Sequence, residues 1–293
     1  MEHIYQYEVD PNSDTAAARV IRMVGQGKRV LEIGPGPGSI TRLLRKEGNC
    51  RVTGVEIDSD AIEIVAEFCE RVFQADLNDS SWPQLLREEG RFEVIVAADV
   101  LEHLYDPWST LTLMKQFVQD DGYIVISLPH VGYHGILACL LEEDFEYRDW
   151  GLMDRSHIRF FGIKNIEKLF QDAGLKIVEA QFVIVQPELS EFAKKWRRIP
   201  TDVRRALSAN RFGLVYQVVV KAVPIESAAR EVSLLSMSVE SEAKEVSLLS
   251  MSVELPTASR FSVYEFLKSQ AHAHLKEENL KMLRRIARRL GIR

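Results

Sequence analysis

Three glycines at alternating positions follow an acidic residue, a combination that suits the binding of a charged small molecule. Glu32 stands in a short hydrophobic run. Gly34, Gly36 and Gly38 come next, and a helical pattern begins at Ser39. Glycine has no Cβ, so the backbone can turn sharply here and approach a ligand closely. The amide groups at the start of the following helix favour an anionic group. This order predicts a strand, a binding turn and a helix.

The spacing of these glycines separates two classes of nucleotide cofactor. A dinucleotide site has the pattern G-x-G-x-x-G, whereas the third glycine here comes one residue early, at Gly38. G-x-G-x-G after an acidic residue suits S-adenosylmethionine (SAM), which has no pyrophosphate and carries a methionine ammonium group. Glu32 would bind this ammonium group directly or through water. The alternative interpretation is a glycine-rich turn that binds nothing.

Acidic residues also follow the next two predicted strands. Glu56 ends a strand predicted from Arg51. Its distance from Gly34 is close to the roughly 20 residues that separate a glycine turn from the acid that meets a cofactor ribose. Asp76 follows a short strand at 71–74, beside the crevice in which an adenine amino group would need an acceptor. The alternatives are a solvated acid at a strand end for Glu56 and a loop cap for Asp76.

Strand and helix patterns alternate around these residues. The fourth strand, near 92–98, is almost entirely apolar, as expected for a strand buried on both faces of a parallel sheet. A fifth strand is predicted at 123–128, and the last two strands are predicted to pair antiparallel because no long crossover separates them. An insertion at about 131–161 is rich in aromatic and ionisable groups, which is typical of a substrate lid.

Composition excludes several functional classes. The net charge of −6 argues against nucleic-acid binding over the whole surface. No 18-residue apolar run is present, and the first residues lack the pattern of a signal peptide. Three cysteines without paired spacing, Cys50, Cys69 and Cys139, predict reduced thiols, a cytoplasmic location and no metal site.

The assembled pattern resembles a known family. Tyr5 to about Pro224, roughly three quarters of the chain, is similar to class I SAM-dependent methyltransferases of the methyltransferase-23/11 type, and closest to those encoded among bacterial glycan-assembly genes. The resemblance is carried by residues 7–14, 30–38, 54–58, 98–104 and 152–161.

This resemblance implies a fold and a cofactor position. It implies a Rossmann-like α/β fold with a seven-stranded sheet ordered 3-2-1-4-5-7-6, strand 7 antiparallel, and helices on both faces. It places SAM over the first two strands and assigns Ile57 to the cofactor site. It places the adenine near Asp76 and Leu77, and the methionine end near Ala98 and Asp99.

Methyl transfer to oxygen requires a group that removes the acceptor's proton, and a neutral imidazole suits that task. His130, His134 and His157 lie where this fold would place the acceptor. His157 is the first choice as general base because it lies in the lid segment that carries the resemblance, and His130 is the second. The alternative for His157 is a buried histidine that bonds Asp154 or a backbone carbonyl.

The sequence changes character after Pro224. Residues 225–259 are predicted to form a weakly structured linker in which 231–240 recurs unchanged as 245–254. Two copies do not make a solenoid. Residues 260–293 carry nine Lys and Arg against three acids and predict a basic amphipathic helix. Such a helix docks on its own protein or on a dimer mate, or it attaches to an acidic partner or a membrane surface.

The sequence therefore predicts a SAM-dependent methyltransferase at residues 1–224. The first expectation for its acceptor is a sugar hydroxyl of a glycan or of a nucleotide-linked precursor. The alternatives are a quinone or another small metabolite as acceptor, and a SAM-binding module without catalysis that tethers partners through its basic tail.

Overall fold

The computed structural model describes residues 5–239. Seven strands form a single sheet. In chain order the strands are β1 Arg29–Ile33, β2 Arg51–Glu56, β3 Arg71–Gln74, β4 Phe92–Ala98, β5 Val118–Pro129, β6 Leu175–Ile184 and β7 Val215–Pro224. Their order in the sheet is β3-β2-β1-β4-β5-β7-β6. Only β7 runs antiparallel to its neighbours β5 and β6, so the predicted topology is confirmed.

Helices connect the strands and cover the sheet. The described α-helices are α1 Ala16–Val24, α2 Thr41–Lys46, α3 Ser59–Val65, α4 Pro107–Lys115, α5 His134–Leu141, α6 Ile163–Asp172, α7 Ala193–Arg198 and α8 Thr201–Leu207. Short 3-10 turns occur at Trp82–Leu86, Leu101–His103, Pro187–Leu189 and Leu234–Ser236. No helix in this part of the chain is both long enough and apolar enough to cross a bilayer.

The sheet has a hydrophobic layer on each face because successive strand residues point in opposite directions. In β1, Leu31 and Ile33 join one layer, whereas Val30 joins the other. All three are fully buried. This burial on both sides fixes the register of β1 between β2 and β4, and it places the carboxyl ends of these strands at one edge, where the glycine turn and the acidic residues lie.

The fifth strand is longer than predicted. It begins at Val118 rather than near Tyr123, because Val118 already pairs with Phe92 of β4, and residues 119–122 form an irregular segment before the pairing resumes at Tyr123. A register shift between Phe92 and Val94 absorbs this irregular segment.

Residues 225–239 pack against the sheet edge formed by β6. The remainder of the predicted linker, the second copy of the repeat and the predicted basic helix at 260–293 lie outside the described residues.

Candidate functional site

The glycine turn has the sharply bent backbone that the sequence predicted, and it leaves room for a ligand. Gly34, Gly36 and Gly38 all have positive φ, at 64°, 53° and 85°. A Cβ on Gly34 would lie 2.8 Å from Val100, and one on Gly38 would lie 2.9 Å from Val65, so these two glycines allow close packing. A Cβ on Gly36 would meet nothing within 4 Å. The middle glycine therefore leaves open space above the turn.

Glu32 lies beneath this turn with part of its carboxyl group unpaired. The residue is 2% exposed, and its Oε2 has no hydrogen-bond partner among the described residues. Burial raises the pKa of the Glu32 carboxyl to about 7, Thr41 opposes this shift and the charge of Glu56 adds to it. An unpaired buried carboxyl is costly unless a cation or a donor meets it. The ammonium group of SAM is such a cation, and a Cβ on Gly36 would meet no atom within 4 Å, so no side chain blocks the space above the turn and these residues fit SAM.

Glu56 organises the turn through backbone bonds. Its Oε2 accepts from the N–H of Gly36 at 2.8 Å, and its Oε1 accepts from the N–H groups of Ile57 at 2.8 Å and Asp58 at 3.0 Å. A carboxylate has about four acceptor positions, so Glu56 keeps capacity for one more donor. Ile57 is 58% exposed and offers apolar surface directly beside it.

The residues predicted for the adenine end and the methionine end of the cofactor lie at the ends of β3 and β4, which β2 and β1 separate in the sheet. Asp76 is exposed, and its Oδ1 accepts from the backbone and side chain of Asn78, so it shapes its own loop. Leu77 packs against the core. Ala98 ends β4 and is partly buried, and Asp99 follows it with a φ of 54°.

Asp99 is held by two neighbouring strands. Its carboxyl accepts from the Ser127 hydroxyl at 2.8 Å and from the Gln217 amide at 2.9 Å. Burial raises the pKa of Asp99, although both hydrogen bonds oppose that shift. Gln217 belongs to β7, which is far away in sequence, so sequence spacing gives no signal for this contact.

The amino-terminal segment also reaches the turn. The backbone N–H of Tyr7 donates to the Ser39 hydroxyl at 3.1 Å. Burial raises the pKa of the Tyr7 phenol, and the charges of Asp99 and Glu32 raise it further. Tyr7 therefore lies near both acids, a placement that its sequence position alone does not predict.

A second cluster joins the end of β4 to the insertion. Glu102 is fully buried, and neither of its carboxyl oxygens has a hydrogen-bond partner among residues 5–239. His157 Nε2 lies 3.8 Å from Glu102 Oε1, and the His103 and His157 rings meet edge to face with centroids 4.7 Å apart. Backbone N–H groups of Ile158 and Arg159 both donate to the Glu102 carbonyl at 2.9 Å, which anchors the insertion here.

The tautomer of His157 follows from its partners. Its Nδ1 lies 3.2 Å from the Leu152 carbonyl, which can only accept a hydrogen bond. Nδ1 therefore carries the proton, and Nε2 presents a lone pair toward Glu102. Burial, helped by the adjacent His103, lowers the pKa of His157 to about 4. The imidazole is therefore neutral at pH 7 and can take up a proton.

The expectation that the chain has no metal site stays a prediction, although this cluster has donor atoms at a suitable spacing. One donor atom from each of Glu102, His103 and His157 lies within 4.8 Å of the others, a spacing that could hold a metal ion. A proton shared between the Glu102 carboxyl and the lone pair of His157 would satisfy the same groups. The geometry therefore fits either a metal ion or a shared proton.

His130 is in a different environment. It is buried at the end of β5, and its Nδ1 lies 3.0 Å from the Val215 carbonyl on β7. Burial lowers the pKa of His130. His134 bonds the Leu207 carbonyl and stacks on Trp196. Both rings therefore have structural contacts in the fold, whereas only His157 among these three adjoins an unpaired carboxyl group.

Comparisons with known proteins identify the family and the fold of the chain. A family model described as "Methyltransferase domain" matches residues 1–180, well over half of the chain. The chain is 24% identical over 155 residues to a ubiquinone biosynthesis O-methyltransferase of Aromatoleum aromaticum, covering 52% of this chain and 66% of that protein. It is 22% identical over 189 residues to the same-named protein of Coxiella burnetii, covering 63% and 75%.

A solved structure shows the same fold. A SAM-dependent methyltransferase from Archaeoglobus fulgidus superposes with a TM-score of 0.50 at 19% identity, covering 70% of this chain and 91% of that one.

Proposed function

We propose that this chain, which belongs to the methyltransferase-domain family and uses SAM, methylates a hydroxyl oxygen on the ring of a quinone precursor or another small phenolic metabolite. The observation that carries this proposal is the neutral His157 beside the unpaired Glu102 carboxyl. SAM supplies an activated methyl group, so the protein must orient the acceptor, exclude water and accept one proton.

The acceptor's proton passes to His157 in this proposal. Nε2 is the unprotonated nitrogen, and it takes the proton as the acceptor oxygen forms its bond to carbon. The Glu102 carboxyl then lies beside an imidazolium. Burial raises the pKa of this carboxyl, and the adjacent positive charge opposes that shift, so the carboxyl can ionise and stabilise the imidazolium. The cofactor itself is held by Glu32, the glycine turn and Glu56.

The low pKa of His157 favours a phenolic acceptor over a sugar. A base whose conjugate acid has a pKa of about 4 is weak. A phenolic hydroxyl has a pKa of about 10, whereas the hydroxyl of water, to which an alcohol is comparable, has a pKa of about 15.7. The proton of a phenol is therefore far easier for His157 to remove than the proton of a sugar hydroxyl, the acceptor that the sequence favoured.

Apolar side chains near the cluster are consistent with an aromatic acceptor. Ile158 and Phe160 follow His157 in the insertion and are 41% and 46% exposed. Tyr105 and Trp108, just after the turn that holds His103, are 70% and 41% exposed. The names of the two relatives support the same substrate class, since both act in ubiquinone biosynthesis by name.

The test is methyl transfer from labelled SAM to a panel of catechols, hydroxybenzoates, free sugars and nucleotide sugars, with products identified by mass spectrometry. O-methylated phenols are the expected products. Methylation of sugars alone would favour the glycan acceptor instead, and SAM binding without any product would favour the non-catalytic tether.

A further inference from the structure

Arg159 lies two residues beyond His157 in the insertion, and it contacts the loop that follows His103. Its Nη2 donates to the Tyr105 carbonyl, and its Cζ lies 5.7 Å from the centroid of the Trp108 ring. A hydrogen bond and a cation–π contact therefore hold the guanidinium in one orientation. Tyr105 and Arg159 each lie two residues from a histidine of the ring contact, so their pairing is the next one along the same two segments.

The guanidinium of Arg159 keeps unused hydrogen-bond donors. A guanidinium has five N–H donors, and the Tyr105 carbonyl takes one of them. The Nε of Arg159 is buried and has no partner among residues 5–239. The side chain as a whole is partly exposed. Donors of this side chain are therefore available to an acceptor that enters from solvent.

The other two arginines of the insertion are already paired. Arg155 forms an ion pair with Asp149, and Arg148 forms one with Glu146 at 3.1 Å. Arg159, in contrast, forms no ion pair with any residue that the structure describes. The insertion contains no lysine. Arg159 is thus the cation of this segment that can bind an anion from outside.

Asp106 follows Tyr105, and its carboxylate is already engaged. Its Oδ2 accepts from the Ser109 hydroxyl at 2.7 Å, and its Oδ1 accepts from the Ser109 N–H at 3.0 Å. These bonds lower the pKa of Asp106, and the charge of Arg159 contributes to the same shift. Asp106 therefore reduces the local positive charge without occupying the guanidinium.

The charge at this place suits an anion with a single negative charge. Burial lowers the pKa of His103, and it lowers the pKa of His157 to about 4, so both rings are neutral at pH 7. Arg159 therefore supplies one fixed positive charge close to the proposed base. A carboxylate carries one negative charge and accepts two parallel hydrogen bonds from a guanidinium. A phosphate monoester carries about −1.5 to −2, which exceeds the charge of one arginine.

We propose that Arg159 binds a carboxylate group on the ring of the acceptor, so that the enzyme prefers phenols that carry a carboxylate. This inference rests on the proposed function, because it describes the same acceptor. The Cα atoms of His157 and Arg159 are at most about 7 Å apart, a distance that a substituted benzene ring can bridge. The ring would lie among the exposed apolar side chains of Trp108 and Phe160, which are 41% and 46% exposed.

Two phenols that differ only in the carboxylate, catechol and 3,4-dihydroxybenzoate, test this contact as methyl acceptors at saturating SAM. The measured quantity is the ratio of their kcat/KM values, with 3,4-dihydroxybenzoate as numerator. Arg159→Met should lower this ratio by at least roughly tenfold, since hydrogen bonds between charged groups are strong. The value for catechol should change little. Comparison of each variant with wild type cancels the intrinsic difference in reactivity between the two phenols.

Two further variants serve as controls. Arg159→Lys keeps the charge but loses the planar fork, so its ratio should lie between those of wild type and Arg159→Met. Arg155→Met removes a neighbouring positive charge that already pairs with Asp149, and its ratio should equal that of wild type. An equal fall of kcat/KM for both phenols in Arg159→Met would overturn the proposal, because Arg159 would then only support the loop at Tyr105. A fall of the ratio in Arg155→Met as large as that in Arg159→Met would overturn it too.

Binding without turnover separates this inference from the proposed function. Calorimetry measures the affinity of both phenols for the full chain saturated with S-adenosylhomocysteine, the demethylated form of SAM. If neither phenol is methylated, the proposed function fails. Tighter binding of 3,4-dihydroxybenzoate to wild type than to Arg159→Met would then still support the carboxylate contact, and equal binding would overturn it. If both phenols are methylated and Arg159→Met leaves their ratio unchanged, the proposed function stands and this inference fails.

Discussion

His157 Nε2 lies 3.8 Å from Glu102 Oε1, and both groups are buried, although the two residues are far apart in the chain. Their approach depends on the insertion folding back onto the end of β4, where it is anchored by backbone bonds to the Glu102 carbonyl. The proposed base is thus positioned by the insertion, whereas the cofactor turn belongs to the sheet edge, and substitutions can affect the two separately.

Replacement of His157 by Ala should lower kcat by about 10² to 10⁴, the usual contribution of a general base. SAM affinity should change little, because the cofactor contacts lie at Glu32 and the glycine turn. Steady-state kinetics and calorimetry with SAM measure the two effects separately. His130→Asn provides the comparison, since Asn can still bond the Val215 carbonyl. A larger loss of kcat in His130→Asn would make His130 the base.

The pH dependence of kcat/KM should reflect the depressed pKa of His157. A base with a pKa of about 4 stays deprotonated until the pH falls below 5. The acid limb of the profile should therefore lie near pH 4 to 5 rather than near 6.5, the ordinary value for histidine. Rates measured at saturating SAM, over the range in which circular dichroism shows the protein folded, would test this, and an acid limb near 6.5 would contradict the lowered pKa of His157.

Glu102→Gln should separate stability from activity. Burial of an unpaired carboxyl costs free energy, and burial raises the pKa of Glu102 well above its ordinary value. The neutral amide should raise Tm at pH 8, whereas kcat should fall about tenfold or more because the imidazolium loses its neighbouring carboxylate. Thermal unfolding and kinetics on one sample measure both. A fall in both quantities would show that Glu102 has only a structural role.

Gly36→Val should abolish SAM binding without unfolding the protein. The space around a Cβ at this position is empty, but the φ of 53° is strained for a β-branched residue and the side chain would occupy the cradle. Calorimetry should show no heat with SAM, and the Tm should fall by only a few degrees. Near-normal affinity would contradict the placement of the cofactor.

Glu32→Gln should remove a pH-dependent cost of folding. The folded pKa of about 7 lies above the ordinary value of 4.5, so the folded state binds more protons than the unfolded state between these pH values. Glu32 therefore reduces stability as the pH rises from about 4.5 to 7, by on the order of 3 kcal/mol in total.

The difference in free energy of unfolding between Glu32→Gln and wild type should grow in favour of the variant over this range and stay constant below pH 4. Denaturant titrations without SAM at several pH values measure it. A difference that does not change with pH would show that Glu32 is already ionised near its ordinary pKa.

The sheet and the cofactor turn could be predicted because their signals are local. Each of these features can be recognised within a few residues of sequence: the apolar run of β4, the alternating glycines and the acidic residues at strand ends. The contact between Glu102 and His157 could not be predicted, because nothing in either segment specifies how the insertion folds back onto the end of β4. The contact of residues 225–239 with β6 could not be predicted either, because the serine-rich alternation in this stretch does not specify which surface it meets.

Residues 5–7 touch both halves of the site. The Tyr5 hydroxyl donates to Asp154 in the insertion at 3.2 Å, and the Tyr7 N–H bonds Ser39 behind the glycine turn. This short stretch therefore connects the insertion directly to the cofactor turn, and a substitution at Tyr5 or Tyr7 would disturb both ends of the site together.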